Sequence, residues 1–169
     1  SETAATAATA EPATKATPPH SRLIVHGEDR VAERFASALE AHQLTFERNP
    51  GSAWSGLQVD AAQLRLSDGR CASELGGDCA LFDLPLSGAS GSALAWCHAA
   101  QASVNWIEAA PLWLSVAGFI PQRIADVPGL VVARSIAKII NEAADAVHQG
   151  VCDRAAADTA MRQSSRSMR

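Results

Sequence analysis

Arg22-Leu23-Ile24-Val25-His26-Gly27-Glu28-Asp29-Arg30-Val31-Ala32-Glu33-Arg34-Phe35-Ala36-Ser37-Ala38-Leu39 is the stretch that decides the fold. Its first part is a short aliphatic run ending on a glycine. Glu28 and Asp29 are residues that start helices, and Val31, Phe35 and Leu39 then recur at i, i+4 and i+8, the spacing of one helical face. The segment therefore predicts strand, turn, helix. Leu44 to Glu47 alternates apolar and polar residues and predicts a second strand, which Asn49-Pro50-Gly51-Ser52 breaks. Together they predict a βαβ opening with the usual right-handed crossover.

Downstream, Leu57-Gln58-Val59 and Leu64-Arg65-Leu66 alternate with period two, which predicts short exposed strands. Cys79-Ala80-Leu81-Phe82-Asp83-Leu84 and Ala93-Leu94-Ala95-Trp96 are more continuously apolar, as strands buried on both faces are. From Val104 the period lengthens: Trp106, Ala110, Trp113 and Ala117 fall on one helical face, with Pro111 inside the pattern and Gly118 closing it. Phe119 to Ile124 returns to extended chain. Asp126 is placed to cap the next helix, Pro128 to sit in its first turn and Gly150 to end it. Val132, Ile136, Ile139, Ile140, Ala143 and Val147 form an apolar stripe along that helix, widened by Leu130 and Val131. So much apolar surface predicts burial in the core or against another subunit. Asp153 starts a last helix that runs to about Met161.

Both ends read differently. Residues 1–20 are almost wholly Ala, Thr, Glu and Pro, too poor in large apolar side chains to offset the entropy of ordering, and predict a flexible linker. A start at Ser1 of that composition is expected of a fragment or a processed chain. Residues 163–169, QSSRSMR, predict a disordered tail.

The 169 residues fit about one compact domain. With 47% hydrophobic residues, 19% charged and a mean hydropathy of +0.00, and without a run of about 18 apolar residues, the composition is that of a globular protein and excludes a membrane helix. Lys plus Arg total 14 against 18 for Asp plus Glu, a net charge of −4, which argues against nucleic acid as a partner. Cys71, Cys79, Cys97 and Cys152 have irregular spacing, and no signal peptide precedes them. They are read as reduced thiols in the cytoplasm, and without a CxxC or HxxxH pair no metal site is expected.

Few residues offer chemistry. The turn His26-Gly27-Glu28-Asp29 stands where a dinucleotide-binding fold places GxGxxG, but only Gly27 is present, and Glu28 and Asp29 put negative charge where the phosphates would lie. Cys97-His98 is an adjacent thiol and imidazole, yet neighbours on a strand point to opposite faces. Arg134 near the start of the long helix could hold an anion, and the Asn141-Glu142 pair beside the stripe reads as structural.

Asp126-Val127-Pro128-Gly129-Leu130-Val131-Val132-Ala133-Arg134, followed by Asn141-Glu142-Ala143, Gly150-Val151 and Asp158-Thr159-Ala160-Met161, resembles the start of the helical C-terminal domain of the bacterial 3-hydroxyacyl-CoA (3-hydroxybutyryl-CoA) dehydrogenase family. The preceding region, about Arg22 to Arg123, resembles the reduced Rossmann-like segment between the two helical repeats of long, duplicated members. The resemblance implies an α/β fold, with a small Rossmann-like, partly parallel sheet over residues 21–125 and a helical segment over 126–162. It further implies NAD-dependent oxidation of a 3-hydroxyacyl-CoA to the 3-ketoacyl-CoA, with a His as acid and base, a Glu orienting it, and an Asn and a Ser on the substrate oxygen.

Carried over position by position, that machinery is mostly missing. Ala133 stands where the family has its substrate-contacting Asn, and a methyl group cannot polarise a carbonyl. Leu94 to Gln101 reads LAWCHAAQ in place of the family's His-Phe-Phe-Asn-Pro, leaving His98 as the weak candidate. The resemblance therefore implies a non-catalytic structural or oligomerisation segment of a fatty-acid-oxidising dehydrogenase that binds no NAD itself. Its partners would be a second copy, met through Val132, Ile136, Ile139, Ile140, Ala143 and Val147, or the N-terminal dehydrogenase domain. Two alternatives stand beside this: an acyl-CoA-binding module or surviving dehydrogenase portion that uses Arg123, Arg134 or His98, and an adaptor that presents Trp54, Trp106 or Trp113.

Overall fold

A computed structural model describes residues 17–150 and 153–167. The chain forms β1 (Leu23–His26), α1 (Arg30–Ala41), β2 (Glu47–Asn49), β3 (Gly56–Val59), β4 (Ala62–Leu66), α2 (Ala72–Leu75), β5 (Cys79–Phe82), β6 (Ala93–His98), α3 (Val104–Val116), β7 (Ile120–Arg123), α4 (Val132–His148) and α5 (Arg154–Ser167). The strands join in one seven-stranded sheet in the order β2-β1-β3-β4-β5-β6-β7. The pairs β1–β2, β4–β5 and β6–β7 are parallel, while β1–β3, β3–β4 and β5–β6 are antiparallel. The expected α/β class with a partly parallel sheet is what the chain adopts.

Strand alternation divides the interior in two. On one face Leu23, Val25, Leu57, Val59, Leu64, Ala80, Phe82, Leu94 and Trp96 meet Val31, Phe35 and Leu39 of α1 and Trp106, Ala110 and Trp113 of α3. On the other face, Cys79, Leu81, Cys97 and Ala99 pack with Ala72 of α2 and with Leu130. The opening βαβ unit forms as read, with Asp29 capping α1 by accepting from Val31 N and Ala32 N.

Several expectations need correction. The second strand is Glu47–Asn49, not Leu44–Glu47: Leu44 and Phe46 instead pack half-buried on the core as the lead-in to it. The strands at 57–59 and 64–66 are not exposed but lie in the middle of the sheet, with Leu57 and Leu64 both 0% exposed. Asp126 does not cap α4. Its carboxylate accepts from Ala72 N (2.7 Å), Ser73 N (2.9 Å) and Ser73 Oγ (2.7 Å), so it caps the short α2. Pro128 lies in the turn before α4, whose first amides, on Val131 and Val132, donate to Asp83 Oδ2 at 2.9 Å each.

The long helix does not enter the core, since no residue of α4 is buried. It packs on α5, which carries on to Ser167, past the expected end at Met161 and into residues assigned to a disordered tail. At the other end, Pro18 is buried and His20 meets the Trp113 indole edge-on at 5.3 Å between ring centroids, so the last residues of the expected linker pack on the core. Residues 1–16, with most of that linker, lie outside the described residues, as does Cys152. Among the described residues no helix is long and apolar enough to cross a membrane.

Candidate functional site

In a doubly wound sheet the ligand crevice opens at the carboxyl end of the first strand, where the following helix offers free amides to an anion. In this chain the corresponding place is His26-Gly27-Glu28-Asp29, and it is closed from within. Asp29 Oδ1 takes the amides of Val31 (2.9 Å) and Ala32 (3.0 Å), and its Oδ2 accepts from Ser55 Oγ at 2.6 Å. Gly27 has φ +94, and a Cβ placed on it would overlap Ser55 Oγ. The close approach that a pyrophosphate needs at this glycine is taken by Ser55. The turn therefore does not fit the dinucleotide that the family resemblance implies.

Beside the turn, the strand register sets His26, Gly56 and Arg65 in a row across β1, β3 and β4. All three project to the face opposite Val25, Leu57 and Leu64. Gly56 is required there, for its φ is +146 and a Cβ would overlap the Leu64 carbonyl oxygen. The Trp54 indole lies between the two longer neighbours. It stacks on the His26 ring at 4.0 Å and 17°, and the Arg65 guanidinium lies 4.8 Å from its centroid. Both faces of this half-buried indole are thus covered. His26 is 6% exposed, with Nδ1 3.0 Å from Ser52 Oγ and Nε2 3.0 Å from Gln58 Oε1. Burial lowers its pKa below the ordinary 6.5; the bond to Gln58 opposes that shift and the Arg65 charge adds to it.

The other sequence candidates are dispersed. His98, half-buried at the end of β6, has Nδ1 2.9 Å from the Ala99 carbonyl oxygen. Cys97 points the other way: its Sγ donates to Asp126 Oδ1 at 3.4 Å, and burial, reinforced by that carboxylate, pushes the thiol up to about 12. Such a thiol is no nucleophile at neutral pH. Burial likewise pushes Cys79 up to about 11. Arg123 and Arg134 are exposed. Arg134 lines a 350 Å³ hollow with Leu130, Val131, Ser135 and Lys138, which includes neither His98 nor Arg123. Ala133 is exposed in the first turn of α4, and Asn141 and Glu142 are exposed midway along it. Trp106 and Trp113, at 4% and 0% exposure, lie inside and present nothing to a partner. Among the described residues no group of three or more His, Cys, Asp or Glu side chains is arranged to hold a metal.

The stripe on α4 is different. Ile136 and Ile140 are 47% and 48% exposed, and Val132, Ile139, Ala143 and Val147 are half-buried. Next to its start, Leu84, Leu86, Phe119, Val131 and Val132 surround a 260 Å³ hollow. Sequence reading missed the carboxylate that anchors this helix, Asp83, which is 4% exposed; a charged residue closing the continuously apolar run 79–82 was the available signal.

Residues 64–128 match the family model of the 3-hydroxybutyryl-CoA dehydrogenase reduced Rossmann-fold domain. No curated protein sequence matches the chain. Among solved structures, 3-hydroxybutyryl-CoA dehydrogenase from Escherichia coli K12 substr. MG1655 is 29% identical over 63% of this chain, with a TM-score of 0.48. A 5-formyl-3-hydroxy-2-methylpyridine 4-carboxylic acid 5-dehydrogenase, an NAD+ dependent dismutase, is 15% identical over 80% of this chain, also with a TM-score of 0.48. The chain spans 22% of the first protein's length and 42% of the second's. From within β4 to the turn before α4, the chain thus carries the pattern of the 3-hydroxybutyryl-CoA dehydrogenase reduced Rossmann-fold domain.

Proposed function

We propose that this chain is a non-catalytic, structural segment of a cytoplasmic, NAD-dependent 3-hydroxyacyl-CoA dehydrogenase, and that it associates with a second copy through the apolar stripe of α4. The dehydrogenation belongs to the family's dehydrogenase domain, which supplies the nucleotide site and the acid–base pair. The observation that carries this reading is α4 itself: 17 residues with no buried position, yet with Val132, Ile136, Ile139, Ile140, Ala143 and Val147 along one side. A helix so apolar on one side is stable in water when that side is covered. The closed turn at Gly27, Ala133 at the family's Asn position and the dispersal of His98, Arg123 and Arg134 support the non-catalytic half of the proposal. The free thiols Cys71, Cys79 and Cys97 agree with a reducing compartment.

Two measurements on the purified chain test it. Light scattering over a concentration series is expected to show a dimer that Ile136→Glu or Ile140→Glu converts to monomer. Burying an isoleucine contributes about 1.5–3 kcal/mol and a two-fold interface loses it twice, so Kd should rise roughly a hundredfold or more. Calorimetric titration with acetoacetyl-CoA, with and without NADH, is expected to give no saturable heat. A monomer at every concentration overturns the association, and saturation near one equivalent overturns the non-catalytic role in favour of an acyl-CoA-binding module.

A further inference from the structure

The polar contacts of His26 run to residues 49, 52 and 58, and the bonding pattern determines which nitrogen carries the proton. Gln58 Nε2 donates to the Asp60 carbonyl at 2.8 Å, which leaves Gln58 Oε1 to accept from His26. The hydrogen is therefore on Nε2, and Nδ1 is bare. Two donors converge on Nδ1: the Ser52 hydroxyl at 3.0 Å and, more distantly, the Asn49 amide nitrogen at 3.4 Å. The Ser52 oxygen also accepts from Trp54 N at 3.3 Å. A continuous chain thus runs from the Trp54 backbone through Ser52 and the imidazole to Gln58, with the Trp54 indole stacked on the ring it ends by fixing.

We propose that the loop of residues 50–54 is a proton-sensitive latch over the turn after β1, closed while His26 is neutral and loosened when Nδ1 takes a proton. A hydrogen on Nδ1 would meet two groups that donate to the neutral ring: the Ser52 hydroxyl must turn its own hydrogen away and accept instead, and the Asn49 amide, which can only donate, must withdraw. The new charge would lie across the indole from the Arg65 guanidinium. No carboxylate among the described residues bonds to the ring: Asp29 is occupied by Val31, Ala32 and Ser55, Asp68 is 3.9 Å from Arg65, and on β2 Glu47 pairs with Arg22 and Arg48 with Glu33. The lowered pKa of the buried ring agrees with this geometry. It also gives the sign. A histidine depressed below 6.5 in the folded state leaves the latch at full strength above 6.5 and weakens it as pH falls through the folded value.

Trp54 reports the event, because Trp96, Trp106 and Trp113 are 3%, 4% and 0% exposed and belong to the core on the other face of the sheet. In NMR spectra of the whole chain recorded as a function of pH, the His26 ring should titrate with a midpoint below 6.5, and the Trp54 indole signal should move with that same midpoint while the other three stay fixed. Acrylamide quenching of the whole chain's tryptophan fluorescence, to which the other three indoles are closed by burial, should rise over the same interval. His26→Gln should abolish the step. Ser52→Ala, which removes a donor that favours the neutral ring, should move the midpoint upward and serves if His26→Gln fails to fold. A midpoint at or above 6.5, a Trp54 signal indifferent to the His26 titration, or an unmoved midpoint in Ser52→Ala overturns the proposal.

Discussion

Asp83→Ala should detach the long helix before it unfolds the sheet. Asp83 directly follows β5 and is 4% exposed. Its Oδ1 accepts from Leu84 N at 2.9 Å, and its Oδ2 accepts from Val131 N and Val132 N. The last two are amides that every helix leaves without an internal partner. Val131, the residue at the N-cap position, supplies no side-chain acceptor, so the cap comes from 48 residues away. Losing a cap costs about 1–2 kcal/mol, and leaving the second, part-buried amide without its acceptor costs roughly 1 kcal/mol more, for about 2–3 kcal/mol in all. Because α4 has no buried residue to hold it, the loss should appear first as local opening. Hydrogen exchange at Val132 to Ser135 should accelerate roughly thirty- to a hundredfold, since each 1.4 kcal/mol is a factor of ten, while the amides of β5 and β6 keep their protection. Asp83→Asn retains one acceptor oxygen and should fall about halfway. If Asp83→Ala exchanges at the parent's rate in α4, or if the sheet amides accelerate as much as the helix, the anchoring role assigned to this carboxylate is wrong.

Two further perturbations test the interior. Gly56→Ala should destabilise the fold by about 3 kcal/mol, the sum of overpacking and of a positive φ forced on an L-residue, whereas Gly51→Ala, whose Cβ would meet nothing within 4 Å, should be close to neutral; urea unfolding of both variants decides it, and equal midpoints would refute the row His26–Gly56–Arg65 as a constraint. Burial alone would raise the Asp126 carboxyl, but the hydrogen bonds from the Ser73 side chain and backbone, from Ala72 and from Cys97 outweigh it and hold the group below 3.8. Its contribution to stability is therefore complete above 3.8 and disappears as pH falls through the lower folded value. Asp126→Asn should flatten that part of the stability curve between pH 4 and 2, and an unchanged acid slope would show that the carboxylate is not what titrates.

What the sequence disclosed is what short windows can carry. The β1–α1 unit was readable because Val31, Phe35 and Leu39 repeat on one helical face and Asp29 precedes them. The strands around Leu57 and Leu64 were visible as strands, but not their place in the sheet. Period two says that one face is buried without saying what lies beside the strand. Caps failed for a related reason: Asp126 stands near the start of α4 in sequence but serves α2, and the carboxylate that serves α4 lies far upstream.

The closed turn shows the same division between local and distant information. Gly27 with Glu28 and Asp29 already argued against a phosphate. Local sequence did not show that Ser55 and Trp54, from the approach to β3, would fill the space. That filling depends on β3 lying antiparallel beside β1. In a doubly wound sheet the first strand's neighbours run parallel to it, so their carboxyl ends open together on one crevice. An antiparallel neighbour instead brings its incoming loop to that end of β1, and the loop must pass over the turn. Here it passes with a tryptophan that covers His26 and a serine that binds the helix cap. Gly56 is the residue on which this depends, because a side chain there would contend with Leu64 for the space between the strands. The strand reversal therefore closes the crevice and at the same time creates the stacked row that couples His26 to the loop above it.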